Sequence, residues 1–477
     1  MSTFEPLSWE TQKFNTWFAG YRQMQDKHAD DVASTIMASP HRNQVYAALG
    51  SIVKNDDVIT LKTFEVINHA MSGTDSDTDE EHQKLVSLLN NYFEDNNDPK
   101  HFFITDDEIE ILKKGAMIFN TRTVECTLIL AVRSLLKQYA AYNATQVLGS
   151  TKILPDFPHR RILATMQFVL DVMSPDAFTA EGSGKRAIQK LRLVHALIRA
   201  RINLKSAQDA GNQKVKGDMD ISTTFWEGGE WRAELWGSPI NQQDMIFAVH
   251  TFSVEVIEGL IESGEDISDD DKETYYKAWH IIGRHLGVLT EINPDNYNDG
   301  KELQQRIYDV QFIPVNPNGT PLINKIAPAL ADPLVAFVQQ FARLPKIEYV
   351  YAIIKRFNND IDESFFEDKL KIPLSQLSRK FLWIIILADK LQDFIFDAWS
   401  WIRYFKSRDN NSVLSVRMHN MMQAVVDSQA TWGAKHFMTG DGFGRQQAED
   451  DQKKLKAGRP SFFKIAIKAF LSGKINQ

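Results

Sequence analysis

Cysteine is all but missing: Cys126 is the single thiol in 477 residues. An internal disulfide framework and a cysteine-built metal site are thereby excluded, and the composition suits a reducing compartment. Basic charge is in deficit too. Lys and Arg number 54 against 62 Asp and Glu, a formal net charge of -8, the wrong sign for a general nucleic-acid binder that must neutralise phosphates. Long apolar runs are absent. The longest, "FLWIIILA" from Phe381 to Ala388, falls far short of the ~20 residues that cross a bilayer. The opening "MSTFEPLSWETQKF" carries no basic-then-apolar secretory pattern and no twin-arginine signal. The expectation is a cytoplasmic protein, with contact to a membrane surface left open.

Strand-like alternation is scarce as well, and three-to-four-residue apolar spacing dominates. The spacing predicts helices over 42–71, 108–140, 159–173, 185–207, 241–263, 272–289, 332–357, 376–405 and 412–428, and hence an all-α fold. The acidic "SGTDSDTDEEHQ" from Ser72 reads as a solvated loop. In "EINPDNYNDGK" the Pro, Asn and Gly read as the end of a helix. Trp226, Trp231 and Trp236 mark the irregular stretch between Lys205 and Asn241 as a packed loop, because their rings offer large areas to bury. Ser238, Pro239 or Asn241 is placed to cap the next helix, and His250 beyond it reads as a hydrogen-bonded core residue.

Familiar catalytic signatures are lacking. His280 and His285 in "HIIGRH" are five apart and off a common helix face, unlike a zincin pair. "GSGKRA" at Gly182 lacks the upstream glycine of a phosphate loop, and "GDGFGR" at Gly440 follows no strand. No serine sits in a nucleophile elbow.

What the chain does have is "KLRLVHALIRARI", residues 190–202. At ~100° per residue, Leu191, Ile198 and Ile202 lie to one side of His195, and Arg192 and Arg199 lie together on the other. An imidazole thus sits at the seam between an apolar and a cationic stripe. In "HRRILATMQFVLDVM", Arg161 and Thr165 share a face one turn apart, beside Ile162, Met166, Val169 and Met173. An imidazole, several guanidinium groups, a hydroxyl and aliphatic walls are what haem requires, for iron, propionates and macrocycle respectively. From the residues alone, a packed core histidine, haem and other ligands all stay open.

The ordered set "RRILAT", "GSGKRAIQKLRLVHALIR", "WGSPINQQDMIFAVHTFS" and "WHIIGRHLGV" resembles the latex-clearing-protein family, the rubber oxygenase catalytic domain shared with MpaB-type ER-bound oxygenases. The resemblance covers roughly residues 110 to 300. It implies a globin-like helical core around a b-type haem over 106–300, with an N-terminal helical extension over 1–105 and C-terminal helices over 301–477 packing on the core. It further implies His195 as proximal iron ligand, Arg161, Arg192 and Arg199 holding propionates or orienting the haem, and Thr165 lining the pocket and serving catalysis. O2 is the implied co-substrate. Rubber-cleaving members split a carbon–carbon double bond of polyisoprene, and MpaB-type relatives cleave an isoprenoid side chain.

Two departures stand out. Rubber-cleaving members often carry a lysine just before the threonine, where this chain has Ala164; its methyl coordinates nothing, so an open distal position is expected. The glutamate base of rubber cleavage falls near Thr145 or Gln146, neither of which accepts a proton at neutral pH, and Glu125 is the nearest substitute. The expected substrate is a small unsaturated apolar molecule rather than an external polymer. A non-catalytic haem or gas-binding protein, and a haem-free helical lipid-binding protein, are the alternatives. In "KLQDFIFDAWSWIRYF" the apolar face is expected to be buried. The tail "GRPSFFKIAIKAFLSGKINQ", residues 458–477, places Phe463, Ile467, Phe470 and Leu471 beside Lys464 and Lys468, a pattern that suits either docking on the core or a peripheral membrane contact.

Overall fold

The computed structural model describes residues 4–72, 80–94, 103–150, 158–211, 231–312, 324, 326–341, 344–376 and 410–429. Among these residues every regular element is a helix and no strand occurs. The N-terminal part holds α1 (Thr11–Gly20), α2 (Lys27–Ala38), α3 (Arg42–Ser51), α4 (Leu61–Ser72) and α5 (Glu80–Glu94). Next come α6 (Asp106–Thr121), α7 (Thr123–Ile129), a π turn (Leu130–Ser134), α8 (Leu135–Ala140), α9 (Tyr142–Ser150), α10 (Pro158–Val172) and α11 (Gly184–Gly211). A short α12 (Ala233–Trp236) precedes α13 (Gln242–Phe252), α14 (Val254–Ser263) and α15 (Asp269–His285). The chain continues through α16 (Tyr297–Gln311), α17 (Ile326–Phe341), α18 (Ile347–Arg356), α19 (Glu363–Leu370) and α20 (Asn410–Gln429).

Several long helices expected from spacing are broken, each for a local reason. Between α3 and α4, Asp57 captures the backbone N–H of Val53 and Lys54, both at 2.7 Å. This side-chain turn competes with helix. The 108–140 stretch bends by 88° at Arg122, whose backbone leaves helical values at φ -122° and ψ 33°. At Ser253 the hydroxyl donates back to Val249 O at 3.1 Å and α13 gives way to α14. Pro345 stands ahead of α18, where its ring bars the preceding residue from helix.

Two loop readings are corrected. Part of "SGTDSDTDEEHQ" is helix, since α5 begins at Glu80 and His82 is buried; acidic residues at a helix start are favoured by the dipole. "EINPDNYNDG" starts a helix instead of ending one: Asn296 accepts from Asp299 N at 3.0 Å and caps α16. The cap expected near Ser238 is Asn241, which accepts from Asp244 N at 3.1 Å. The 376–405 helix, Trp226, Gly440 and the 458–477 tail lie outside the described residues.

The main core joins α6–α10, the first turns of α11, α13–α19 and α20 in one apolar cluster. α6 crosses α15 closely: a Cβ placed on Gly115 would lie 2.5 Å from Ala278 Cβ. Only hydrogen fits there. A second cluster packs α2–α5 against Leu193, Ala196 and Leu197 of α11. A third gathers Tyr142, Val147, Trp231, Leu235 and Trp236 against Ile202, with Ile198 alongside. α11 is therefore the pillar shared by all three. Among the described residues no single helix is long and apolar enough to cross a membrane, although the bent α6 and α7–α8 pair has the length and composition.

Candidate active site

α11 presents each of its faces to a different neighbour because its apolar residues do not fall in a single stripe. Leu191 looks into the main core, Ile198 and Ile202 into the tryptophan cluster, and Leu193, Ala196 and Leu197 into the α2–α5 layer. His195 stands on the first two of these faces. It is half-buried, with its Nδ1 enclosed by protein.

The two arginines beside it are held from the N-terminal side. Asp26 takes Arg192 through both Nε and Nη2, at 2.5 and 2.8 Å. Asp30 takes Arg199 Nε at 2.7 Å, and the Ile240 carbonyl accepts from its Nη1 at 3.2 Å. Arg199 Nη2 is buried and makes no hydrogen bond. His285 lies near Arg192; burial and then the Arg284 charge depress its pKa to about 3, so it stays neutral and accepts from Arg284 Nη2 at 3.2 Å.

Arg161 is in the first turn of α10, and Thr165, one turn on, reaches the wall of an apolar cavity. The cavity has a volume of about 60 Å³. Five residues of α10 (Ile162, Thr165, Met166, Val169, Leu170) form one wall, and Thr127, Leu128, Leu130, Ala131 and Leu135 form the facing one. Phe119, Phe252, Phe337, Val338 and Met422 close it. Among the described residues Thr127 and Thr165 are the polar side chains of this lining, and none of them is a carboxylate or a histidine. So the structure brings Thr165 to the cavity, leaves His195 off its lining, and places Ala164 in the buried interior.

The positions where a glutamate base falls in the resembling family are otherwise engaged. Thr145 donates to Tyr142 O at 2.8 Å, and Gln146 Nε2 donates to the same carbonyl at 3.0 Å. Glu125 on α7 is half-buried and does not line the cavity. His250 is a core residue as expected, fully buried, with Nε2 at 3.3 Å from the Tyr276 hydroxyl.

Sequence reasoning missed a buried ionic cluster behind the facing wall. Arg133, in the π turn, donates to Glu255 at 2.6 Å and to both oxygens of Asp360 at 2.6 and 2.7 Å. Lys137, one turn later, and Tyr308 also donate to Glu255. The π turn, a widened register often found at functional sites, lets Leu130 and Ala131 face the cavity while Arg133 points away. Burial lowers the Lys137 pKa to about 8 despite the carboxylate beside it. Two cations four apart inside "LILAVRSLLKQYAAY" are the signal that was available, since such charges are buried only with partners.

Residues 123–359 match the family described as ER-bound oxygenase mpaB/B'/Rubber oxygenase, catalytic domain. The rubber oxygenase of Streptomyces sp. (strain K30) is 22% identical over 200 residues, 42% of this chain and 43% of that protein. The alignment thus spans less than half the length of the curated relative. The fold is similar to the solved structure of latex clearing protein LCP in the closed state, with a TM-score of 0.51, 15% identity and 91% of each chain covered.

Proposed function

Through residues 123–359 the chain belongs to the ER-bound oxygenase mpaB/B'/rubber oxygenase family, and on that premise we propose a haem-dependent oxygenase acting on a small, apolar, unsaturated molecule. His195 is the proposed proximal iron ligand and O2 the co-substrate. The observation that carries this reading is the donor set on one side of α11. A half-buried imidazole stands one turn from Arg199, whose buried Nη2 lacks any acceptor. A buried cationic donor without an acceptor is costly, and a propionate would satisfy it. Leu191, Ile198 and Ile202 flank the imidazole on the same side, packed into the main core and the tryptophan cluster, and make its surroundings apolar. The residues present therefore fit a haem b. When bound, its iron supplies the binding and activation of O2.

The chain's own residues account for the rest. Arg161, one turn before Thr165, is proposed as a further carboxylate partner. Thr165 offers a hydroxyl at the cavity wall, where it orients what binds there. The aliphatic and aromatic lining excludes water and favours an apolar substrate. Ala164 beside Thr165 is buried and its methyl has nothing with which to coordinate a metal, so it would not compete with O2 for a bound haem.

A pyridine haemochromogen assay on wild type beside His195→Ala tests the ligand assignment. Haem in the wild type and a large loss in the variant are expected; equal haem content would overturn it. Reduced, haem-loaded protein should also shift its Soret band with CO, since Ala164 would offer no competing ligand.

One observation favours a second reading, a haem or gas-binding protein without turnover: among the described residues, the cavity lining holds no carboxylate to accept an allylic proton. O2 uptake with isoprenoid test compounds separates the two. A protein with no Soret absorbance after haem reconstitution would leave the helical lipid-binding reading instead.

A further inference from the structure

Asp26, which caps α2, and Asp30, in its first turn, each grip an arginine of α11. α2 is clamped along α11 by Ala29, Val32, Ala33 and Ile36 against Leu193, Ala196 and Leu197, so the two carboxylates meet the flank of α11 that leads to His195. Arg192 and Arg199 are two turns apart with His195 between them in sequence. The grip is selective. Asp30 and the Ile240 carbonyl occupy Arg199 Nε and Nη1, leaving Nη2 buried with no acceptor.

Arg192 is fixed from behind as well. The turn after α15 presses its backbone onto the Asp26–Arg192 pair at Gly287, φ 96°, where an added Cβ would lie 2.4 Å from Asp26 Oδ2 and 3.1 Å from Arg192 Nε. Gln242 pins that turn, donating to Gly287 O at 2.9 Å and accepting from Leu289 N at 3.0 Å. Two acids, a glycine turn and a glutamine thus immobilise the inner edges of both guanidinium groups. Such backing is how a preorganised site fixes its ligand-facing donors.

We propose that Asp26 and Asp30 are positioning residues for a carboxylate-bearing planar cofactor on the His195 side of α11, orienting Arg192 and Arg199 so that Arg199 Nη2 receives a cofactor carboxylate. The N-terminal helices then belong to the site and are more than an appendage to it. This inference rests on the haem reading of His195. Its simpler competitor is that the two ion pairs only weld α2 to α11.

Titration of the full-length apoprotein with hemin and with hemin dimethyl ester, which lacks charged carboxylates, separates them. Wild type should bind the ester about tenfold more weakly, the scale of one charge-assisted hydrogen bond. Asp30→Asn should weaken hemin by about the same factor while changing ester affinity less than about twofold, and Asp30→Glu should restore part of the loss. Asp26→Asn should act in the same direction. Equal losses for hemin and ester in Asp30→Asn, or none for either, would overturn the inference while leaving the haem reading intact. Equal affinity of the wild type for the two compounds would overturn it even if a variant failed to fold. A wild type that develops no Soret band with hemin would remove both readings.

Discussion

Glu255→Gln is the sharpest test of how the cavity wall is held. The side chain keeps its size and an acceptor oxygen, so charge is what changes. Arg133 retains its two-point pairing to Asp360 and its bond to Phe357 O at 2.8 Å. Lys137 fares worse. Its side chain is 5% exposed, and apart from Glu255 it has the Tyr308 ring, whose centre lies 4.9 Å from its Nζ. Burial already outweighs the carboxylate in setting its pKa, so without that carboxylate the ammonium must lose its proton or draw in water. Breaking a buried pair from one side costs about 3–5 kcal/mol. The lower half of that range applies, because Asp360 still compensates Arg133.

The assay is urea unfolding followed by far-UV circular dichroism, comparing midpoints at constant slope. Replacing both charged groups by apolar or neutral ones of similar volume is close to neutral in other buried pairs. Glu255→Gln with Lys137→Met should therefore recover at least half of the single-variant loss. A Glu255→Gln cost below about 1 kcal/mol, the scale of an exposed pair, would refute the reasoning. So would a double variant less stable than the single one.

Three other outcomes follow from particular contacts. Gly287→Ala should destabilise more than Gly264→Ala: both glycines have positive φ, but nothing lies within 4 Å of a Cβ at Gly264. Backbone handedness alone costs about 1–2 kcal/mol, and the excess at Gly287 measures the pressure on Asp26 and Arg192; equal thermal shifts would deny that contact. Burial raises the Asp244 pKa to about 7, with Arg22 opposing, so its contribution is fully present below the unfolded value near 3.8 and is lost as pH rises through 7. The stability difference between Asp244→Asn and wild type should therefore move in the variant's favour between pH 4 and 8, and a flat difference would refute this. Ala131→Phe, which projects a ring into the cavity, should abolish O2 uptake with an isoprenoid test compound while preserving the haem spectrum; full activity would show that substrate binds elsewhere.

Helical periodicity and caps were legible because both are local. The 158–172 and 184–211 helices lie where apolar spacing puts them, within a few residues at each end. The arrangement of His195, Arg192 and Arg199 about one helix axis needs only the ~100° step. The misread "EINPDNYNDG" shows the limit, because the same Asn and Gly serve a helix start or a helix end. Which one holds depends on Asn296 finding the Asp299 N–H.

Sequence by itself thus determined the all-helical class and the positions of α10 and α11, the identity of the seam residues and the lack of metal-binding thiols. Tertiary structure alone decided what those residues face. No spacing rule links Asp26 to Arg192 or Asp30 to Arg199, well over 150 positions apart, nor Glu255 to Arg133 and Lys137. Ion pairs in a core form between whichever charges packing brings together, and packing is settled by apolar surfaces from the whole chain at once. The α10 face carrying Thr165 could be drawn from the sequence, but the cavity opposite it needed six other helices and the π turn to exist.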